Sequence, residues 1–141
     1  MDDALTDLAA RLRSGVARLQ RRLRASASGS VSPAAMSLLG LLDKHESLTL
    51  GELATLELVR PPSITPLVRG LESQGYLTRV RDASDRRSTR VRMTAAGRRE
   101  LEANRRRRTE FLEQKLLALS PADRATALRL VTFLESLTEE S

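Results

Sequence analysis

The apolar period of this chain changes twice, and that constrains its fold more than any bulk property. Up to about residue 75 the hydrophobic residues recur at helical spacing, between residues 76 and 93 they alternate, and from Thr94 the helical spacing returns. A chain of 141 residues with one brief alternating interval is mainly helical, with a small β-hairpin inserted late. The available core materials agree. Tyr76, Phe111 and Phe133 are the only aromatic residues, so Leu, Val and Ala must build the interior, and that aliphatic bias favours helices over stacked sheets.

The first segment places Leu5, Leu8, Leu12, Val16, Leu19 and Leu23 at spacings of 3, 4, 4, 3 and 4, one apolar stripe on a helix. Six arginines, including Arg18, Arg21 and Arg22, occupy its other face, and the stretch 25–30 (ASASGS) reads as a loop. Ser32-Pro33 starts a second helix, with serine as cap and proline where a missing N–H costs nothing. Thr49-Leu50-Gly51-Glu52 has capping-box spacing and starts a short third helix whose buried face is expected at Leu53, Leu56 and Leu58. Arg60-Pro61-Pro62 leads into a fourth, with Ile64, Leu67, Val68 and Leu71 inward and a stop at Gln74-Gly75.

Two strands follow, Tyr76–Arg81 with Tyr76, Thr78 and Val80 on one side, and Ser88–Met93. Thr94 caps a long helix reaching about Leu119, and Ser120-Pro121-Ala122-Asp123 starts the last, with Leu128, Val131, Leu134 and Leu137 on one stripe. Two short helices joined by a tight turn and followed by a two-stranded wing make a winged helix-turn-helix. The second helix of such a pair enters the major groove of double-stranded DNA, and the wing lies beside it.

Charge supports that order. The formal net charge is +6, with 22 Arg against two Lys, and residues 79–92 carry six arginines against Asp82 and Asp85. Arginine's planar fork suits phosphate oxygens, guanine edges and narrow minor grooves. Other function classes fare worse. There is no cysteine, one histidine (His45), no glycine-rich phosphate loop and no metal-ligand spacing, so neither an enzyme nor a cofactor is expected. No run of about 18 apolar residues offers a membrane span. The acidic, amphipathic start is unlike a signal peptide, so a cytoplasmic location is expected. The rival reading is a basic protein that coats nucleic acid without sequence preference, for which the Arg105–Arg108 run would serve. A helical module meeting an acidic protein partner is a third.

The residues also resemble a known family. Leu48–Ala54, Ser63–Thr65 continuing through Leu71–Leu77, and above all Arg81–Arg87 followed by Val91–Gly97 are similar to the MarR family of bacterial transcriptional regulators. The family's wing pattern, D-x-R with a downstream L-T-x-x-G, is met by Asp85-Arg86-Arg87 and Met93-Thr94-Ala95-Ala96-Gly97. The resemblance implies that Arg87 enters the minor groove with Asp85 bracing it, Arg86, Arg79 and Arg81 supplying further wing charge. Ser63, Thr65 and Arg69 fall on the exposed face of the recognition helix, and Arg60 precedes it as a phosphate contact.

One residue departs from the family pattern. Where a polar or basic residue often follows the threonine, this chain has Pro66. If Ser63 is the helix cap, Pro66 costs no hydrogen bond; if the helix starts at Pro61 or Pro62, Pro66 lies inside it. Either way base readout is narrowed and DNA shape gains weight.

The stripes at the two ends exceed what a winged helix needs to cover itself. Leu5, Leu8, Leu12, Leu128, Val131 and Leu134 are therefore expected to form a homodimer, as the resemblance also implies, spacing two recognition helices about 34 Å apart. The division that follows is residues 1–31 as N-terminal dimerisation helix and loop, 32–93 as DNA-binding region, and 94–141 as C-terminal dimerisation helices. The expected function is a sequence-specific, ligand-responsive repressor on a pseudo-palindromic operator. A small aromatic or lipophilic effector would sit between dimer helices and reading head, with Val16, Met36, Leu39, His45 and Phe111 as candidate lining.

Overall fold

The structure, a computed structural model, describes residues 2–81, 84 and 88–139. Its elements are α1 (Asp3–Ser26), α2 (Pro33–Asp43), β1 (Leu48–Thr49), α3 (Leu50–Leu56), α4 (Pro61–Ser73), β2 (Leu77–Arg81), β3 (Thr89–Met93), α5 (Ala95–Leu117) and α6 (Pro121–Thr138). The expected hydroxyl caps form: Ser32, Thr49, Thr94 and Ser120 each accept the amide three residues on. Thr49 and Glu52 complete the reciprocal box, an arrangement whose loss costs about 1 kcal/mol. The first helix runs through the expected loop start to Ser26.

The sheet has three strands, not two. β1 pairs antiparallel with β3, and β3 with β2, in the order β1-β3-β2. Leu48 opposes Val91, and Leu77 opposes Met93. Leu77 is the buried residue of β2, and Tyr76, Thr78 and Val80 share the other side as expected, Tyr76 and Val80 half-buried and Thr78 exposed. Register follows whichever neighbour reaches the core, and a one-residue shift turns every side chain over.

Leu38, Leu39, Leu53, Ile64, Val68, Leu71, Val91 and Leu101 are fully buried, so α2, α3, α4, β3 and α5 share one aliphatic core. Leu56 and Leu58 are exposed, contrary to expectation, and Leu53 with Ala54 forms the buried face of α3. Both helices of the pair end in the same way. Val59 N–H donates to Ala54 and Tyr76 N–H to Leu71, while Leu58 N–H and Gly75 N–H donate to Thr55 and Glu72. These are Schellman turns, which need a left-handed residue after the cap. Gly75 meets that need at φ 79°, whereas Leu58 adopts φ 56° against its own Cβ.

α5 is tied to the rest of the chain at three places. Thr94 Oγ1 donates to the Gly75 carbonyl and Thr94 N–H to the Tyr76 carbonyl, fixing the end of β3 beside the end of α4. Asp43, the last residue of α2, accepts from Arg98 (2.5 Å) and Arg105 (3.0 Å) of α5. Asn104 is buried and donates to the Ala27 carbonyl at 3.2 Å, securing the chain after α1. α1 and α6, by contrast, bury no residue completely.

Candidate nucleic-acid interface

Helical phase decides what α4 offers to a groove. Ile64, Val68 and Leu71 point into the core, so Pro62, Pro66, Arg69 and Ser73 project outward, with Thr65 half-buried at the margin and Ser63 exposed on the other flank. The hydroxyls of Ser63 and Thr65 and the guanidinium of Arg69 take no partner among the described residues. The helix begins at Pro61 with Arg60 in the cap position, so Ser63 is not its cap. Pro66 is therefore inside the helix and has no N–H to donate to the Pro62 carbonyl.

That start has an electrostatic consequence. Helix N-termini bind phosphates through unsatisfied amides. Here the first two residues are prolines, and the third amide, that of Ser63, donates back to the Arg60 carbonyl at 3.0 Å. No free amide remains in the first three positions. Phosphate contacts at this end must come from side chains, and Arg60 is exposed there with no cap role.

The wing arginines divide by strand parity. Arg79 and Arg81 lie on the same sheet face as Leu77 and Val91, and Arg90 and Arg92 on the opposite face. Arg79 is held by Glu72 of α4 at 2.9 Å, which links wing to recognition helix. Arg90 donates to Ser47 Oγ (2.9 Å) and to the Ser47 carbonyl (3.0 Å), and approaches Glu52 at 3.4 Å. It thereby joins β3 to the capping box of α3, a structural task that local charge counting does not reveal. Arg81 and Arg92 are exposed. Arg92 was not singled out from the sequence, although strand parity opposite the buried Val91 marks it. Asp85, Arg86 and Arg87 lie outside the described residues.

The expected dimer residues are largely uncovered in the single chain. Leu5, Leu8, Leu128 and Val131 are exposed by half or more, and Leu12 and Leu134 are half-buried. Between α1, α2 and α5 lies a cleft of about 420 Å³, walled by Val31, Met36, Leu41 and Leu101 on its apolar side and by Arg24, Lys44, Arg105 and Arg108 on the other. Of the five expected lining residues only Met36 reaches it. Leu39 is buried in the core, Val16 is exposed, and His45 and Phe111 border separate hollows. Sequence periodicity identified these side chains as apolar or central but carries no information on which of them face a shared void.

A helix pair with a paired wing, carried on long flanking helices, defines a winged helix-turn-helix protein. The profile of the MarR family matches residues 31–89. An uncharacterized HTH-type transcriptional regulator of Mycobacterium bovis is 33% identical over 142 residues, covering 100% of this chain and 99% of its own. The crystal structure of a putative transcriptional regulator from Pseudomonas aeruginosa is 34% identical, covers 100% of both chains and superposes with a TM-score of 0.84. An S. aureus MepR variant, solved bound to an oligodeoxyribonucleotide, shares the fold at 21% identity and a TM-score of 0.71, over 93% of this chain and 98% of its own. The chain belongs to the MarR family. It is a transcriptional regulator with a DNA-binding winged helix-turn-helix, not an enzyme. Among the described residues, no helix is long and apolar enough to cross a membrane.

Proposed function

We propose that the chain acts as a homodimer that recognises a pseudo-palindromic operator and represses transcription by occupying it. The observation that carries this reading is the pairing of two unsatisfied surfaces. α4 presents Ser63, Thr65 and Arg69 without side-chain partners among the described residues, and α1 and α6 present apolar stripes at Leu5, Leu8, Leu128 and Val131. Exposed apolar area of that extent on a small chain marks an association surface. A two-fold partner covering both ends would set two α4 helices about one DNA turn apart, roughly 34 Å. Residues 1–31 and 94–141 then serve the dimer and 32–93 the DNA.

In this reading Arg60, Arg81 and Arg86 hold phosphates, Arg87 braced by Asp85 enters the minor groove, and Arg79 is positioned through Glu72. The cleft between α1, α2 and α5 suits a small aromatic or lipophilic effector, because it touches both the dimer helices and the head. Such a ligand acts only through different affinity for the DNA-competent and incompetent spacings. The Arg105–Arg108 run speaks against the non-specific alternative. Arg105 is bound to Asp43 and Arg107 approaches Glu100 at 3.4 Å, so the four do not form one solvent-facing phosphate track.

The test compares the intergenic DNA beside its own gene with scrambled duplex at about 150 mM salt. A specific regulator should prefer the former by about a thousandfold or more; equal affinity overturns the reading. The mass in solution should be twice that of the chain. Arg87→Ala should weaken binding to all sequences alike.

A further inference from the structure

The outward face of α4 is unusual in what it lacks. Pro62 and Pro66 stand one turn apart and both are exposed, with the Thr65 side chain beside them and Arg69 as the one charged donor. Proline offers no side-chain hydrogen bond and no N–H, so half of this face is hydrocarbon. A major-groove edge holds one hydrocarbon group, the C5 methyl of thymine, and small apolar side chains recognise it by contact. We propose that Pro66 and Pro62 determine specificity by packing on thymine methyl groups, with the Thr65 methyl extending the strip and Arg69 forking onto an adjacent guanine.

Spacing makes the proposal specific. Four residues advance a helix by about 6 Å, close to two base steps of about 3.4 Å each. Recognition helices direct their N-terminal residues at base edges, and both prolines lie in the first half of α4. A half-site should therefore contain two thymines about two steps apart, with a guanine beyond the Pro66 contact on the Arg69 side. The absence of free amides in the first three positions of α4 fits as well. The helix end cannot anchor on a phosphate through its backbone, which leaves its prolines to lie against the bases.

This inference rests on α4 being the DNA reader, and the experiment separates the two. Selection of random duplex by the full-length protein should enrich half-sites with that thymine pair. In the best site each thymine is then replaced singly by deoxyuridine, which removes the methyl and keeps every hydrogen-bonding group. Loss of a buried methyl should weaken binding about fourfold at the two contacted positions and leave the others unchanged. Pro66→Ser restores a helical N–H and removes the ring. That variant should no longer distinguish thymine from uracil at one of the two positions while keeping the preference at the other. Strong sequence preference with indifference to every deoxyuridine would overturn the methyl readout and leave α4 as reader. Methyl sensitivity that survives both Pro66→Ser and Pro62→Ser would overturn the assignment to these prolines. Failure to enrich any sequence would remove the DNA-reading premise itself.

Discussion

Gly97 lies against the backbone carbonyl of Tyr76 with no space between them for a side chain. A Cβ at residue 97 would collide with that oxygen and would stand 2.9 Å from Met93 Cγ. The same turn carries Thr94, which accepts the Gly97 amide and donates to the Gly75 carbonyl. The spacing T-x-x-G is thus a joint. Threonine caps α5 and grips the end of α4, and glycine lets α5 lie on the strand start.

Gly97→Ala should therefore destabilise the protein, against the usual helical preference for alanine. The clash is with backbone, which yields little, and overpacking of this kind costs about 1–3 kcal/mol. Gly40→Ala in α2 is the contrasting case, since nothing lies within 4 Å of its added Cβ; it should gain up to about 1 kcal/mol. Urea midpoints of the two variants should move in opposite directions.

Leu58 predicts a gain from the reverse substitution. It holds φ 56° in the turn between α3 and α4 and is 92% exposed, so it spends conformational energy and buries nothing. Leu58→Gly should stabilise by up to about 1 kcal/mol. An unchanged or lower urea midpoint would contradict this.

Asp43 sets an acid limit. The hydrogen bond from Arg105 holds its carboxyl below the ordinary carboxylate range, assisted by the bond from Arg98 and by both positive charges, with burial opposing. A depressed folded value means the contribution is complete above the unfolded pKa, about 3.9, and is lost as pH falls through the folded one. Denaturant titrations should show Asp43→Asn less stable than the parent at pH 7. The gap should narrow as pH falls below about 4, where the carboxylate of the unfolded chain takes up its proton before that of the folded one. A constant gap would mean the two arginines do not depend on the charge.

On DNA, Arg69 and Arg60 should separate into two kinds of effect. Arg69→Ala should relax preference at one base step and cost about 1–3 kcal/mol on the preferred site. Arg60→Ala should weaken every duplex alike and lower the salt slope by about 1. Anisotropy titrations over a range of salt distinguish the two.

Charged residues in the end stripes should split the proposed dimer. Leu8→Glu or Leu128→Glu places a carboxylate on a surface that is exposed in the single chain, so the head should stay folded while the mass halves. Operator affinity should fall with it, because two half-sites are then bound independently. Light scattering and circular dichroism together read both outcomes.

Much of this was legible in the sequence because it is local. Caps at Ser32, Thr49, Thr94 and Ser120 declare themselves through residues three apart, and the stop at Gly75 through a backbone angle only glycine takes cheaply. What stayed hidden is non-local. β1 is two residues long and exists because Leu48 meets Val91 across the chain. The inward face of β2 depends on Leu77 reaching a core built elsewhere, and Arg90 looks like one more wing charge until Ser47 and Glu52 are brought to it. At Pro61 the sequence allowed two helix starts. The Ser63 amide bonding back to Arg60 is what distinguishes them, and no propensity encodes that. The cleft is hidden for the same reason, since a void belongs to several elements and to none alone.

The 23 residues of α5 carry a mechanical consequence. Its first turns are fastened to the head by Thr94, Gly97, Leu101 and the Asp43 bridges, and its far end carries the exposed Leu116 and Leu117. A helix of this length spans about 35 Å. As a rigid lever of that length, a tilt of about 5° at one end displaces the other by about 3 Å, nearly the rise of one base pair. In the proposed dimer, register on the duplex would therefore be set to within a few degrees of arc at a place far from any base.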